Sequence, residues 1–103
     1  MREKHNGWSN YETWATALHL NNEESSQAYW LERAKYWKHS KSTSEYWTKA
    51  ESAKFNLADE LKESFTEANP LIEDVSVYSD LLRSALDNVD WNEIAANLLT
   101  HEA

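Results

Sequence analysis

The sequence predicts an all-α fold, and three observations lead there. One glycine and one proline in 103 residues is far below the usual share of about 7% and 5%, so the chain lacks the turn residues a many-stranded fold requires. Apolar residues recur at three- and four-residue spacing through most of the chain. Finally, Ser9 with Glu12, Ser42 with Glu45 and Asp90 with Glu93 place a capping side chain three positions before a glutamate, the signature of a helix start. Residues 1–103 are therefore expected to form a single compact domain of about five helices with a Trp-rich core, residues 1–8 being an N-terminal arm. A chain of this size buries roughly 60–70% of its unfolded surface, enough for one core.

The arm ends in an Asn6-Gly7 turn. Helix one is expected from about Asn10 to Leu20, behind the Ser9/Glu12 capping box, with Tyr11, Trp14 and Leu18 along one face and Asn21-Asn22 as its stop. Helix two spans about Ser26 to His39, with Trp30, Leu31, Ala34 and Trp37 on the core face. Tyr29 and Tyr36 lie about 100° to one side of that stripe, so the apolar arc is wider than one packing face needs. Those tyrosines either meet another helix or stay partly exposed.

A polar link from Ser40 to Ser44 precedes helix three, about Ser44 to Ala68. Trp47, Ala50, Lys54, Leu57, Ala58, Leu61 and Phe65 hold helical spacing there, and Asn69-Pro70 ends it because a residue before proline avoids the helical region. Leu71 and Ile72 form a short apolar tether. Helix four covers about Val75 to Leu86, with Tyr78, Leu81, Leu82 and Ala85 inward. Helix five starts at Asp90 and buries Trp91, Ile94, Ala95, Leu98 and Leu99. The Trp8–Leu18 segment and helix five are expected to share a tryptophan-lined core with helix three.

Charge divides the chain. Residues 1–58 carry eight basic and seven acidic groups, whereas residues 59–103 carry only Lys62 and Arg83 against eleven carboxylates. Such a balance bears on partners, not on fold, and its sign is opposite to that of a bare nucleic-acid binder. Direct nucleic-acid binding is therefore not expected. The absence of cysteine suits a reducing cytosol. Met1-Arg2-Glu3-Lys4-His5 does not lead into an apolar signal segment, and no apolar run approaches the roughly 20 residues of a membrane span. The expected location is cytoplasmic.

Within the acidic half, Asp59, Glu63 and Glu67 stand at i, i+4 and i+8, with Glu60 beside them. They lie two positions on from Leu57, Leu61 and Phe65, about 200° around the helix and away from the core. Like charges at this spacing cost roughly 0.2–0.5 kcal/mol each, so the row does not serve helix stability. A row of carboxylates about 6 Å apart suits a basic groove in a partner, in the manner of a phosphate backbone. It also reads as an ordinary solvated face that aids solubility. Tyr29, Tyr36 and Trp8 are candidates for an aromatic contact patch. Lys35, Lys38 and Lys41 near Tyr36 and Trp37 invite comparison with base-stacking surfaces. They point to more than one side of the helix, however, and core packing explains Trp14, Trp30, Trp37 and Trp47 better.

Catalysis has no support in the residues. His5, His19, His39 and His101 form no i,i+4 pair, and there is no cysteine, no nucleophile elbow and no glycine-rich phosphate loop. No catalytic residue, metal ligand or cofactor is expected.

The string Asn6-Gly7-Trp8-Ser9-Asn10-Tyr11-Glu12-Thr13-Trp14, followed by Leu18-His19-Leu20, resembles the opening of a group of short, largely uncharacterised proteins of phages, plasmids and related bacterial genomes. Their motif reads Gly-Trp-x-Asn-Tyr-Glu-Thr-Trp. Asp80-Leu81-Leu82-Arg83-Ser84-Ala85-Leu86 and Val89-Asp90-Trp91-Asn92-Glu93-Ile94-Ala95 look like their closing segment. Together these blocks cover roughly a third of the chain, and Glu23 to Ile72 matches nothing recognised. The resemblance carries no catalytic residue or cofactor. It implies a mobile-element setting, in which small acidic proteins often block host defence enzymes in antirestriction or anti-CRISPR style. The expected function is thus an interaction protein that inhibits a host nucleic-acid-handling protein. Asp59, Glu60, Glu63 and Glu67 would occupy its basic surface, with Glu73, Asp74, Asp80 and Asp87 contributing less. The alternative is a structural or adaptor module, monomeric or homodimeric, acting through an aromatic patch.

Overall fold

Five helices follow one another in the order α1 (Tyr11–Asn22), α2 (Glu24–Lys38), α3 (Lys49–Glu67), α4 (Val77–Asp87) and α5 (Trp91–His101). The computed structural model describes residues 4–42, 45–71 and 73–101, and no strand occurs among them. The all-α single domain expected from composition and periodicity is the fold observed. Met1 to Glu3 of the arm, the expected helix-three start at Ser44 and Ile72 of the tether lie outside the described residues.

Helix starts are set by side chains that accept from otherwise orphaned backbone N–H groups, and the expected starts of α1, α3 and α4 are displaced, while α2 begins at Glu24, two residues before the expected Ser26. α1 is capped by Asn10, whose side chain accepts from the Thr13 N–H, and not by Ser9. α3 begins behind Thr48, in a reciprocal capping box with Glu51, and not behind the Ser42/Glu45 pair. Trp47 consequently precedes the helix. It packs on Phe55 at 4.9 Å between ring centroids and is not part of the buried stripe. α4 begins behind Ser76, two residues later than expected, in a box closed by Ser79.

One residue, Glu23, separates α1 from α2. Its backbone is extended (φ −97°, ψ 110°), and α1 ends at Asn22, where the sequence places its stop, with no positive-φ residue at either asparagine. The α3 stop falls as expected, with Ala68 as C-cap and the Asn69 side chain accepting from the Leu71 N–H across Pro70.

The core lies between α2, α3 and α5, with α1 closing one side against α2 and α5. It is built from Ala17, Leu20, Trp30, Ala34, Leu57, Ala58, Leu61, Val89, Trp91, Ile94, Ala95 and Leu98. Alanines at 34, 58 and 95 have almost no exposed surface, and each lets a neighbouring helix approach closely. Only Trp30 and Trp91 of the six tryptophans belong to this core. Trp8 and Trp37 pack against its edge, while Trp14 stacks with His5 and Tyr11. The face of α1 that packs inward carries Thr13, Ala17 and Leu20, whereas Tyr11 and Leu18 are exposed. The larger aromatic stripe loses to the smaller one because α1 must sit close to the start of α5, where Thr13 is needed.

α4 departs furthest from expectation. Ser79 is its buried residue, and Leu82, Ala85 and Leu86 are half-buried. Tyr78 is 72% exposed and Leu81 64%, so two of the four side chains expected to point inward point out. This helix has no extensive contact with any other.

Candidate partner-binding surface

Asn6 (φ 48°) and Gly7 (φ 89°) both have positive φ, the pattern of a two-residue type I′ turn. That turn lets His5 and Trp8 exchange two backbone hydrogen bonds of 2.8 Å. The chain then meets the start of α5. The Ser9 N–H donates to a Glu93 carboxylate oxygen at 3.0 Å, and the Asn10 side-chain amide donates to the Asn88 carbonyl at 2.7 Å. The Asp90 N–H donates to Thr13 Oγ1 at 2.8 Å, and that hydroxyl donates in turn to Asn10 Oδ1 at 2.7 Å. Asp90 caps Glu93, as the sequence predicts. The return bond of that box is reassigned: Glu93 reaches Ser9 instead of the Asp90 N–H. The two sequence blocks at either end of the chain are thus one polar junction, with Thr13 fully buried. Its groups satisfy one another, as a structural junction requires.

The acidic row is placed by α3. Leu57 and Leu61 are fully buried on one side, and Asp59, Glu63 and Glu67 are exposed on the other. None of the three forms an ion pair among the described residues. Glu60 is different. Arg33 of α2 grips it with two hydrogen bonds, Nε to Oε1 at 2.8 Å and Nη2 to Oε2 at 2.7 Å, and the Trp37 indole N–H adds a third at 3.3 Å. The Arg33 guanidinium also lies 4.6 Å from the Tyr36 ring centroid. Its pKa is held above the usual arginine value, chiefly by the Glu60 hydrogen bond, with burial opposing. Glu60 therefore ties α3 to α2, and the outward row consists of Asp59, Glu63 and Glu67.

That row runs into a polar cleft of about 410 Å³ lined by Asp59, Lys62, Asp87, Asp90 and Asn92, with Ala58, Val89 and Trp91 beneath. Three carboxylates and one lysine face the same space. The cleft draws on α3, the end of α4 and the start of α5. By sequence alone Asp87 is a minor contributor to the acidic surface and Asp90 only a helix cap. No spacing relates residues 59 and 90, since only the α3–α5 packing brings them together. Among the described residues no three histidine or acidic side chains converge as a metal-binding group.

Glu73, Asp74, Asp80 and Asp87 are all exposed. Asp74 accepts from the Ser76 hydroxyl at 2.6 Å. Tyr29 and Tyr36 are each 55% exposed on α2, stacked edge-on against Trp30 and Trp37 respectively. At the other end of the bundle is an open groove of about 510 Å³, floored by Ala50, Ala53, Ala96 and Leu99 and edged by Lys38, Lys49 and Lys54. Three lysines thus edge this groove, whereas three aspartates and one lysine line the cleft.

Compared with known proteins, the chain matches no family model, no curated protein and no solved structure. No helix among the described residues is long and apolar enough to cross a membrane.

Proposed function

We propose that this chain is a small acidic interaction protein of a mobile genetic element. It inhibits a host nucleic-acid-handling defence protein, of the kind that anti-CRISPR or antirestriction proteins target, by occupying a basic surface. The observation that supports this reading is the outward row Asp59, Glu63 and Glu67 on one helix, none of them in an ion pair among the described residues, with Asp59 meeting Asp87, Asp90 and Lys62 at the cleft. Carboxylates held on a helix are already in place, so a cationic partner loses little freedom in ordering them. Lysine or arginine side chains of the partner fit the cleft, and the surrounding field speeds the encounter. The N-terminal motif supports the assignment to mobile elements through its resemblance alone.

The test is binding to, and inhibition of, purified restriction and CRISPR effector proteins at increasing salt. Inhibition that falls steeply with salt, and is lost on changing Asp59, Glu63 and Glu67 to lysine, supports the reading. Inhibition unaffected by that triple change removes the acidic row from it. No inhibition of any effector removes the function.

Exposure of Tyr29 and Tyr36 favours a second reading, an adaptor module acting through an aromatic patch or through homodimers. It requires a concentration-dependent mass that barely responds to salt and that falls to the monomer when both tyrosines become serine.

A further inference from the structure

The outer face of α4 is apolar and uncovered. Val77, Tyr78 and Leu81 are 63%, 72% and 64% exposed, and Val75, just before the helix, is 96% exposed. At about 100° per residue the three helical residues span one continuous strip of roughly 100°, with half-buried Ala85 between Tyr78 and Leu81. A strip of large side chains with no packing role is the usual mark of an interaction site.

The charges around the strip specify its occupant. Asp80 and Asp87 lie on one flank, about 100–120° from Leu81, and Asp87 also lines the acidic cleft. Glu73 and Asp74 precede the helix. The one basic residue of this region, Arg83, stands three positions after Asp80 and four before Asp87, within about 60° of both around the helix. Two copies meeting through this strip would bring together surfaces that each carry Glu73, Asp74, Asp80 and Asp87 against the single cation Arg83. A segment carrying apolar side chains beside lysine or arginine meets no such conflict: its apolar side covers Val77, Tyr78 and Leu81, and its cations reach Asp80, about 60° beyond Val77 around the helix.

We infer that the α4 strip is the docking site for a cationic amphipathic helix of a partner protein, read by apolar contact with Tyr78 and Leu81 and by charge at Asp80. The inference rests on the reading of the partner as cationic, and adds a second contact surface next to the acidic row. It also assigns a task to the apolar face that the fold leaves unburied.

The experiment uses the full chain and two synthetic helical peptides. Each has leucine along one face, with lysine on the other face in one peptide and glutamate in the other. Amide shifts on the isotope-labelled protein map contact without any substitution, and affinity is measured for the wild type, for Tyr78→Ser/Leu81→Ser and for Asp59→Lys/Glu63→Lys/Glu67→Lys. Both substituted residues in the first variant are mostly exposed, so it is expected to fold. The expected result is shifts centred on residues 75–87 with the lysine peptide only, and at least about a tenfold loss of affinity in the tyrosine–leucine variant. Shifts centred on α3, with affinity lost only in the triple-lysine variant, would overturn the strip while sparing the acidic row. Equal binding of both peptides, or no binding, would overturn it as well. So would a dimer that persists at about 0.5 M salt and is broken by the tyrosine–leucine change, since the occupant would then be a second copy.

Discussion

Thr13 and Asp90 lie 77 positions apart in the chain and are joined by one hydrogen bond, the Asp90 N–H donating to the Thr13 hydroxyl at 2.8 Å. That bond gives the N-terminal motif its physical meaning. A serine, an asparagine and a threonine that look like one local helix cap are shared between two helix starts. Asn10 caps α1 and binds Asn88, Ser9 binds Glu93, and Thr13 takes the N–H that Glu93 would have taken in an isolated capping box. The junction brings α1 to the start of α5, and so sets the wall of the acidic cleft that Asp90 lines.

Thr13→Val keeps the shape of the side chain and removes the hydroxyl. It leaves the Asp90 N–H without its acceptor and Asn10 Oδ1 with the Thr13 N–H as its remaining donor, and is expected to cost about 2 kcal/mol. Urea unfolding measures it. Ser9→Ala removes only a long contact at 3.5 Å to Asp90, and its effect should be much smaller. Equal losses at the two positions would contradict the junction.

Gly7 has φ +89°, and a Cβ added there would meet nothing within 4 Å. Substitution is therefore limited by the backbone alone. Gly7→Ala is expected to lower stability by about 1–2 kcal/mol, and Gly7→Asn by less, because asparagine tolerates the left-handed region. Thermal unfolding of the pair distinguishes this from a packing effect, which would penalise the larger asparagine more.

Glu60 and the outward carboxylates should separate cleanly. Glu60→Gln weakens a bidentate, partly buried clamp and is expected to cost about 1–2 kcal/mol. Asp59→Asn, Glu63→Gln and Glu67→Gln together relieve like-charge repulsion, with a small gain of roughly 0.2–0.5 kcal/mol per pair. Denaturant midpoints of the two variants check this. A comparable loss in both would mean the row contributes to the fold.

The Glu51 carboxylate accepts from the Thr48 backbone N–H, the largest cause holding its pKa below the usual glutamate range. Because the folded value is the lower one, the unfolded chain holds more protons between the two values. The contribution is therefore complete above the usual glutamate range and is lost as pH falls through the folded value. The melting-temperature advantage of the wild type over Glu51→Gln should be present at neutral pH and shrink on acidification below that range. An advantage that grows in acid would reverse the assignment.

Leu61→Ala and Leu81→Ala test the division between core and surface. Leu61 has no exposed surface, and its truncation is expected to cost about 2–5 kcal/mol. Leu81 stands on the uncovered strip, so its truncation should change stability by no more than about 0.5 kcal/mol. Calorimetry on the two variants decides whether α4 is packed.

Much of this molecule was legible one residue at a time. Scarce glycine and proline, helical spacing of Leu57, Ala58 and Leu61, the Asn6-Gly7 turn, the Pro70 stop and the acidic row all depend on backbone geometry and near neighbours, which a sequence displays directly. What it could not display is competition for a partner. Ser9 and Glu12 satisfy the rule for a capping box, yet Ser9 is taken by Glu93 from the far end of the chain. Glu60 reads as one more acid of the row until Arg33 closes on it from another helix. Tyr78 and Leu81 have the period of a buried face, but periodicity says only that a helix has an apolar side, not that anything covers it. Which groups meet depends on how α1, α2, α3 and α5 pack together, and packing leaves the outer side of α4 uncovered.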